Sequence, residues 1–398
     1  MAAALLIGTS ILTAGCGGPP APPADTDRGR IVESEHLRTF SPADVKAELT
    51  AQGFDTGAVR FGVDTYRLVY RTIDTNGRAT TASGLLALPR NDQDELAVVA
   101  YEHGTLATKS DVASIDVDSG AGAATLSYAA AGFATAAPDY LGLGLGPGLH
   151  PYMDVPSETT ASVDMLRAAR AQTARGDRQL RSDVYITGFS QGGPAAMGLA
   201  RALQDGADDD FRPAAVAAIS GPFDLRTAEL PALLDHRLDP LSSALYSAYF
   251  LVSWNRLHGV YRSPGEVFRA PYDSTVEQLF DGMHSSDELA AGIAPDIDRL
   301  LTPHAADLLR APTGTLAAAL TTSDSTCSDW TPRMPVRLYT GARDRDVATE
   351  NSAHCRNSLQ NRGVDAPIID VGDVDHSGSG IRGTASTVRW FSELSAVQ

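Results

Sequence analysis

Glycine, serine and glycine at fixed spacing can hold a nucleophile. Residues 183–193 read DVYITGFSQGG, and within them Gly188-Phe189-Ser190-Gln191-Gly192 follows the pattern G-x-S-x-G. A serine hydroxyl attacks poorly at neutral pH, so it needs a base to take its proton. It also needs an acid to hold that base and N–H donors for the oxyanion. The flanking residues suit such a site. Val184, Tyr185 and Ile186 are strand formers, while Ala196, Leu199, Ala200 and Leu203 fall on one helical face. Ser190 then lies in a tight strand-to-helix turn, where side chains at 188 or 192 would clash and glycine is used instead. Its hydroxyl would project at the helix N-terminus, whose dipole and free N–H groups favour a developing negative charge. Pro194 fits the first helical turn. The plainer alternative is a glycine-rich turn whose serine only caps the helix.

The elements that must carry this turn follow from the patterning. Ser41 is the N-cap of a short helix beginning at Pro42. Tyr66, Leu68 and Tyr70 fall at alternate positions of one strand, a second strand covers 80–88, and Asn76-Gly77 between them signals a hairpin. Strand and helix then alternate, which implies a mostly parallel sheet flanked by helices. Residues 96–101 (LAVVAY) form a continuous apolar strand running into Glu102-His103-Gly104-Thr105. Another strand covers 133–137, a helix 157–174, and a strand 215–220 follows the serine unit. Residues 222–334 interrupt the alternation with a mostly helical pattern. It resumes with a strand at 336–340, a helix near 353–359, a strand at 367–371 and a closing helix striped by Val388, Phe391 and Leu394.

At 398 residues the chain can hold one large domain or two ordinary ones. Its net charge of −17 makes nucleic acid and anionic membrane surfaces poor partners. Of three cysteines, Cys16 stands in the N-terminal tail. Cys327 and Cys355 could form a disulfide in an oxidising compartment or remain two separate buried thiols. Gly144-Leu145-Gly146-Pro147-Gly148 lacks the last glycine of a dinucleotide loop and reads as a loop near the site; Asp208-Asp209-Asp210 lacks calcium-loop spacing and reads as a solvated turn. No metal or cofactor is expected.

The order of hairpin, parallel strands, serine turn, helical insert and two late strands resembles an α/β-hydrolase, from about Val63 to Leu394. More narrowly, the chain is similar to the secretory lipase family in 101–105 (YEHGT), 139–144 (DYLGLG), 150–152 (HPY) and 188–193 (GFSQGG). In that fold the triad runs Ser, acid, His along the chain. The resemblance selects Ser190 as nucleophile and His376, after the last strand, as base, carried by a glycine-rich loop. For the acid, residues 341–347 (GARDRDV) match the family's G-x-x-D-x-x-V spacing at Asp344, with Asp346 on the same loop as the alternative. Oxyanion donors would be the main-chain N–H groups of Gln191 and Thr105, with His103 and Gly104 shaping the second loop. His354, inside a predicted helix, is expected to be structural or exposed.

Residues 1–16 resemble a bacterial lipoprotein signal ending Leu12-Thr13-Ala14-Gly15-Cys16, with Cys16 lipidated and 17–35 a flexible tether. Thr13 and the lack of Lys or Arg before the apolar stretch depart from that pattern. Residues 36–221 and 335–398 would form the hydrolase core, and 222–334 a cap. Leu245, Tyr246, Tyr249, Phe250, Leu251 and Trp254 could line an acyl pocket or form the cap's own core. The resemblance implies an extracytoplasmic, lipid-anchored or else secreted serine esterase or lipase acting on esters with hydrophobic acyl groups. A serine peptidase of the same fold is the alternative, with Glu102 or Asp139 available to hold a peptide amine. A non-catalytic binding protein is the third reading. Oligomeric state is left open.

Overall fold

Asn76-Gly77 turns the chain between two strands. In the computed structural model, which describes residues 27–396, β2 (Gly62–Ile73) and β3 (Ala79–Arg90) pair antiparallel across it. Gly77 takes φ 74°, a conformation that glycine adopts without strain. Outside β2 lies an antiparallel edge strand, β1 (Ile31–Phe40). This corrects the tether expected over 17–35, because residues 31–35 belong to that strand. Two register shifts interrupt its pairing, so part-buried residues recur every third position rather than every second. Residues 1–26, with the signal-like segment and Cys16, lie outside the described residues.

Helix α1 (Pro42–Ala51) opens with Ser41 as N-cap and Asp44 completing a reciprocal capping box. Next come β4 (Glu95–Glu102), α2 (Gly120–Ala131), β5 (Ala134–Pro138), α3 (Val155–Ala174), β6 (Gln179–Phe189), α4 (Gly192–Gln204) and β7 (Arg212–Ile219). Then a π-helical turn, Leu225–Glu229, leads into α5 (Leu230–Leu234) and α6 (Pro240–His258). Five shorter helices complete the insert: α7 (Val276–Leu279), α8 (Ser286–Gly292), α9 (Ile297–Leu300), α10 (Pro303–Arg310) and α11 (Gly314–Ser323). The chain closes with β8 (Val336–Thr340), α12 (Glu350–Gln360), β9 (Ile368–Asp370) and α13 (His376–Ser395).

The nine strands form one sheet in the order β1-β2-β3-β5-β4-β6-β7-β8-β9, parallel from β5 onward. Side chains alternate between its faces. Val98, Ile186, Val216 and Leu338 pack with Met165, Leu199 and Leu359 of α3, α4 and α12. Val99, Tyr185, Ala217 and Tyr339 pack with Tyr128 of α2 and Phe391 of α13 on the other face. Connectivity opens a crevice between two neighbours: β4 leads to β5 on one side, while β6 leads to β7 on the other. Loops leaving adjacent strands diverge at such a switch point. Both the serine turn and the Thr105 loop emerge there.

The insert builds its own apolar cluster, including Leu251, Trp254, Phe268, Leu300 and Leu320. Its return segment does not belong to that cluster. Cys327, Trp330 and Met334 pack into the main core, and Cys327 is disulfide-bonded to Cys355 of α12 with Cα atoms 5.1 Å apart.

Candidate active site

Ser190 occupies a left-handed backbone conformation at φ 56° between β6 and α4. A non-glycine residue there carries strain of order 1–3 kcal/mol. The surroundings hold it: Ser190 N–H donates to Ile219 O at 2.9 Å, and Gly193 N–H donates to Ser190 O at 2.8 Å. Both flanking glycines are sterically required. A Cβ at Gly188 would overlap the carbonyl of Gly192, and one at Gly192 would overlap the carbonyl of Glu102.

His376 is the first residue of α13, not part of a glycine-rich loop, which corrects the sequence expectation. Asp375 is the N-cap and accepts from Gly378 N–H, so the helix starts one residue after the last acid of 373–376. His376 Nδ1 is 2.8 Å from Asp344 Oδ2. Asp344 Oδ1 accepts the main-chain N–H groups of Asp346 and Val347, both at 3.0 Å. Burial pushes the Asp344 carboxyl up, but the His376 hydrogen bond and charge and these amides outweigh it and hold it below its ordinary value. The contact to the imidazole belongs to Asp344, not Asp346. His376 Nε2 is buried and has no hydrogen-bond partner among the described residues, and its ring packs at a tilt against Phe189, centroids 4.7 Å apart.

Two spaces meet at Ser190. The larger, about 450 Å³, is an open cleft bordered by His376, Ser377, Tyr101, His103, Phe54 and Asp111, among others. The smaller, about 40 Å³, is bordered by Gln191, Met153, Leu225, Leu230, Leu233 and Phe250, and by Glu229. Thr105, Ser190, Tyr246 and Asp346 border both. The insert therefore roofs the serine with α5 and α6. Of the six candidate acyl-pocket residues, Tyr246 and Phe250 border the small space. Tyr249, Leu251 and Trp254 sit in the cap's own core, and Leu245 packs against it.

Thr105 and Gln191 both border this junction, and among the described residues neither main-chain N–H donates to a main-chain carbonyl in a turn or loop. The Thr105 hydroxyl is 3.1 Å from Tyr152 OH. Gly104 leaves room for the turn, since a Cβ there would press on Phe189 and Ser190.

No family model matches this chain, and no curated protein matches it. Solved structures do. The rice cell wall degrading esterase LipA from Xanthomonas oryzae superposes with a TM-score of 0.81 at 25% identity, over 93% of this chain and 99% of that one. The chain has the α/β-hydrolase fold. A hydrolase candidate from Legionella pneumophila gives 0.83 at 24% identity, over 92% and 98% of the two chains. Candida antarctica lipase A in its closed state gives 0.64 at 14%, over 92% and 82%.

Behind the serine of this α/β-hydrolase lies a buried polar network that joins Gln191 and His150, both in motifs noted above, to Glu158, which the sequence did not single out. Gln191 Nε2 donates to Glu158 Oε1 at 2.7 Å and lies 3.0 Å from His150 Nε2. His150 Nδ1 is 2.9 Å from Leu141 O, so the neutral ring that donates there accepts from Gln191. Burial drives His150 down to about 3, which keeps that ring neutral. Burial also drives Glu158 well above the ordinary carboxylate range. In sequence, Glu158 reads only as an acid in a helix's first turn. Glu229 is a second such residue: its Oε2 accepts from Ala348 N–H at 3.0 Å and Asn351 Nδ2 at 2.6 Å, and burial raises it to about 7.

Glu102 and Asp139 border neither space at Ser190. Both are fully buried, Glu102 against Ser162 Oγ at 2.8 Å and Asp139 against Ser83 Oγ at 2.6 Å, with burial raising them to about 7 and about 6. His354 lies on α12 with Nδ1 2.8 Å from Asp224. The 144–148 loop borders neither space either, and Asp208 is paired with Arg167 and Asp210 with Arg170. Among the described residues no cluster of three His, Cys, Asp or Glu side chains could hold a metal ion.

Proposed function

We propose that this chain is a serine-dependent carboxylester hydrolase of the lipase and esterase kind. The observation that carries the reading is the left-handed Ser190 at the strand–helix turn, sharing one cleft with a histidine whose Nδ1 is held by Asp344. An esterase and a lipase among the solved neighbours support it. Glu102 and Asp139, the carboxylates available for a peptide amine, are buried away from the cleft, which weighs against a peptidase.

Ser190 Oγ attacks the acyl carbonyl carbon while His376 Nε2 takes its proton. Asp344 fixes the ring with Nδ1–H toward itself and stabilises the imidazolium. The oxyanion accepts from the N–H groups of Gln191 and Thr105. As the bond to the alcohol oxygen breaks, His376 returns its proton to the leaving alkoxide. Water then attacks the acyl-enzyme, giving its proton to His376, and the carboxylic acid leaves as Ser190 is reprotonated. No step calls for a metal or cofactor.

The test is labelling by an organophosphorus ester together with hydrolysis of p-nitrophenyl butyrate. The intact protein should gain one phosphoryl group on Ser190, and Ser190→Ala should lose both labelling and turnover, the latter by about 10⁴-fold or more. Full turnover in Ser190→Ala would discard the mechanism. Cleavage of an alanyl or prolyl anilide without ester cleavage would move the assignment to peptidase. An extracytoplasmic protein anchored through lipidated Cys16, or otherwise secreted, completes the proposal; palmitate incorporation lost in Cys16→Ser distinguishes the two.

A further inference from the structure

Ester hydrolysis divides its substrate at one atom, and the two spaces at Ser190 are unequal. Resting on the reading above, we infer that the small chamber takes the acyl group and the large cleft takes the alcohol, so the enzyme removes short acyl groups from bulky alcohols.

The assignment follows from which residues border which space. A carbonyl oxygen directed at the N–H groups of Gln191 and Thr105 places its acyl carbon beside both residues; Thr105 borders both spaces, whereas Gln191 borders the small chamber and not the cleft. Proton return to the leaving oxygen must come from His376, which borders the large cleft and not the chamber. The leaving alcohol therefore lies in the cleft.

Size then sets the acyl group. The chamber, about 40 Å³ and bordered mostly by apolar side chains, suits a short acyl group better than a long one. Its walls come from rigid places: Leu225, Leu230, Leu233 and Phe250 are all nearly fully buried in the cap. Glu229 also borders the chamber, and its Oε2 is already committed to Ala348 and Asn351. The cleft is the larger of the two spaces and mixes Phe54 and Tyr101 with Gln52, Asp111, Ser119 and Thr384, so it accepts a large alcohol carrying polar groups. This narrows the expectation of a hydrophobic acyl group, whose length the sequence left open, to a short one.

Octyl acetate and ethyl octanoate test this directly. They are isomers, both unactivated primary-alcohol esters, with the long chain on opposite sides of the ester bond. Each methylene that a pocket cannot admit changes kcat/KM by about 10-fold or more, so octyl acetate should exceed ethyl octanoate by at least about 100-fold. Leu233→Ala should narrow that ratio by about 10-fold, and Phe250→Ala provides a second enlargement should the first variant unfold. Equal rates for the two isomers, or preference for ethyl octanoate, with Ser190 still labelled by the organophosphorus ester, would overturn the size assignment alone. Absence of both labelling and ester cleavage would overturn the hydrolase reading and this inference with it.

Discussion

Asp344 and Asp346 are two residues apart on one loop, yet they meet different surroundings. Asp344 is buried against His376 and takes two loop amides on its second oxygen, while Asp346 borders both spaces at the serine. Asp344→Asn should preserve the packing and lower kcat by about 10³–10⁴-fold, because an amide cannot hold the imidazole in the required tautomer. Asp346→Asn should change kcat by less than about tenfold. Comparable losses in the two variants would contradict the geometry. Both candidates were legible in the sequence as a pair, since alternating aspartates on one loop look alike until the backbone shows which carboxyl is enclosed. Glu158 and Glu229 were not legible at all. Buried carboxyl groups without a cation leave no compositional trace, and only three-dimensional enclosure distinguishes them from surface acids.

At the scale of elements, α3 supports α4. Glu158, in the first turn of α3, holds the side chain of Gln191, whose main-chain N–H is the proposed oxyanion donor. Glu158→Leu should lower kcat by about 10–100-fold with KM nearly unchanged, since a displacement of the order of 1 Å costs that much at a reacting centre. Glu158→Gln still accepts from Gln191 and should keep most activity. A general packing defect would instead move both variants' melting temperatures and KM together. Elements with a clear period, such as β2 and α4, or with a continuous apolar run, such as β4 and β6, were readable. Two elements were not. The edge strand β1 carries two register shifts that erase alternation, and ten of the twelve residues of α2 are buried, so the helix shows no polar face to give it a period. The start of α13 was hidden by its glycines, Gly378 and Gly380, which read as loop. Gly380 instead lies against Phe189, where a Cβ would meet the ring.

The whole molecule stores several carboxyl groups that are buried without a paired cation. Glu102 and Glu229 titrate near 7 and Asp139 near 6 in the folded state, all raised by burial. Unfolded, they titrate near 4. Between those values the folded form binds protons that the unfolded form releases, so stability falls as pH rises across about 4.5 to 7 and levels above it. Thermal midpoints measured from pH 5 to 8 should decline, and Glu102→Gln should flatten the decline. A midpoint that climbs steadily over that range would refute the assignment of these groups.

The insert also splits the proposed catalytic residues by position along the chain. Ser190 precedes it, whereas Asp344 and His376 follow it on the segments that add β8 and α13. During synthesis from the N-terminus, the nucleophile exists long before its base. A nascent or truncated chain lacking the closing helix carries a serine with nothing to deprotonate it. Under the proposed mechanism, hydrolytic competence would be acquired only when α13 docks and brings His376 to Ser190.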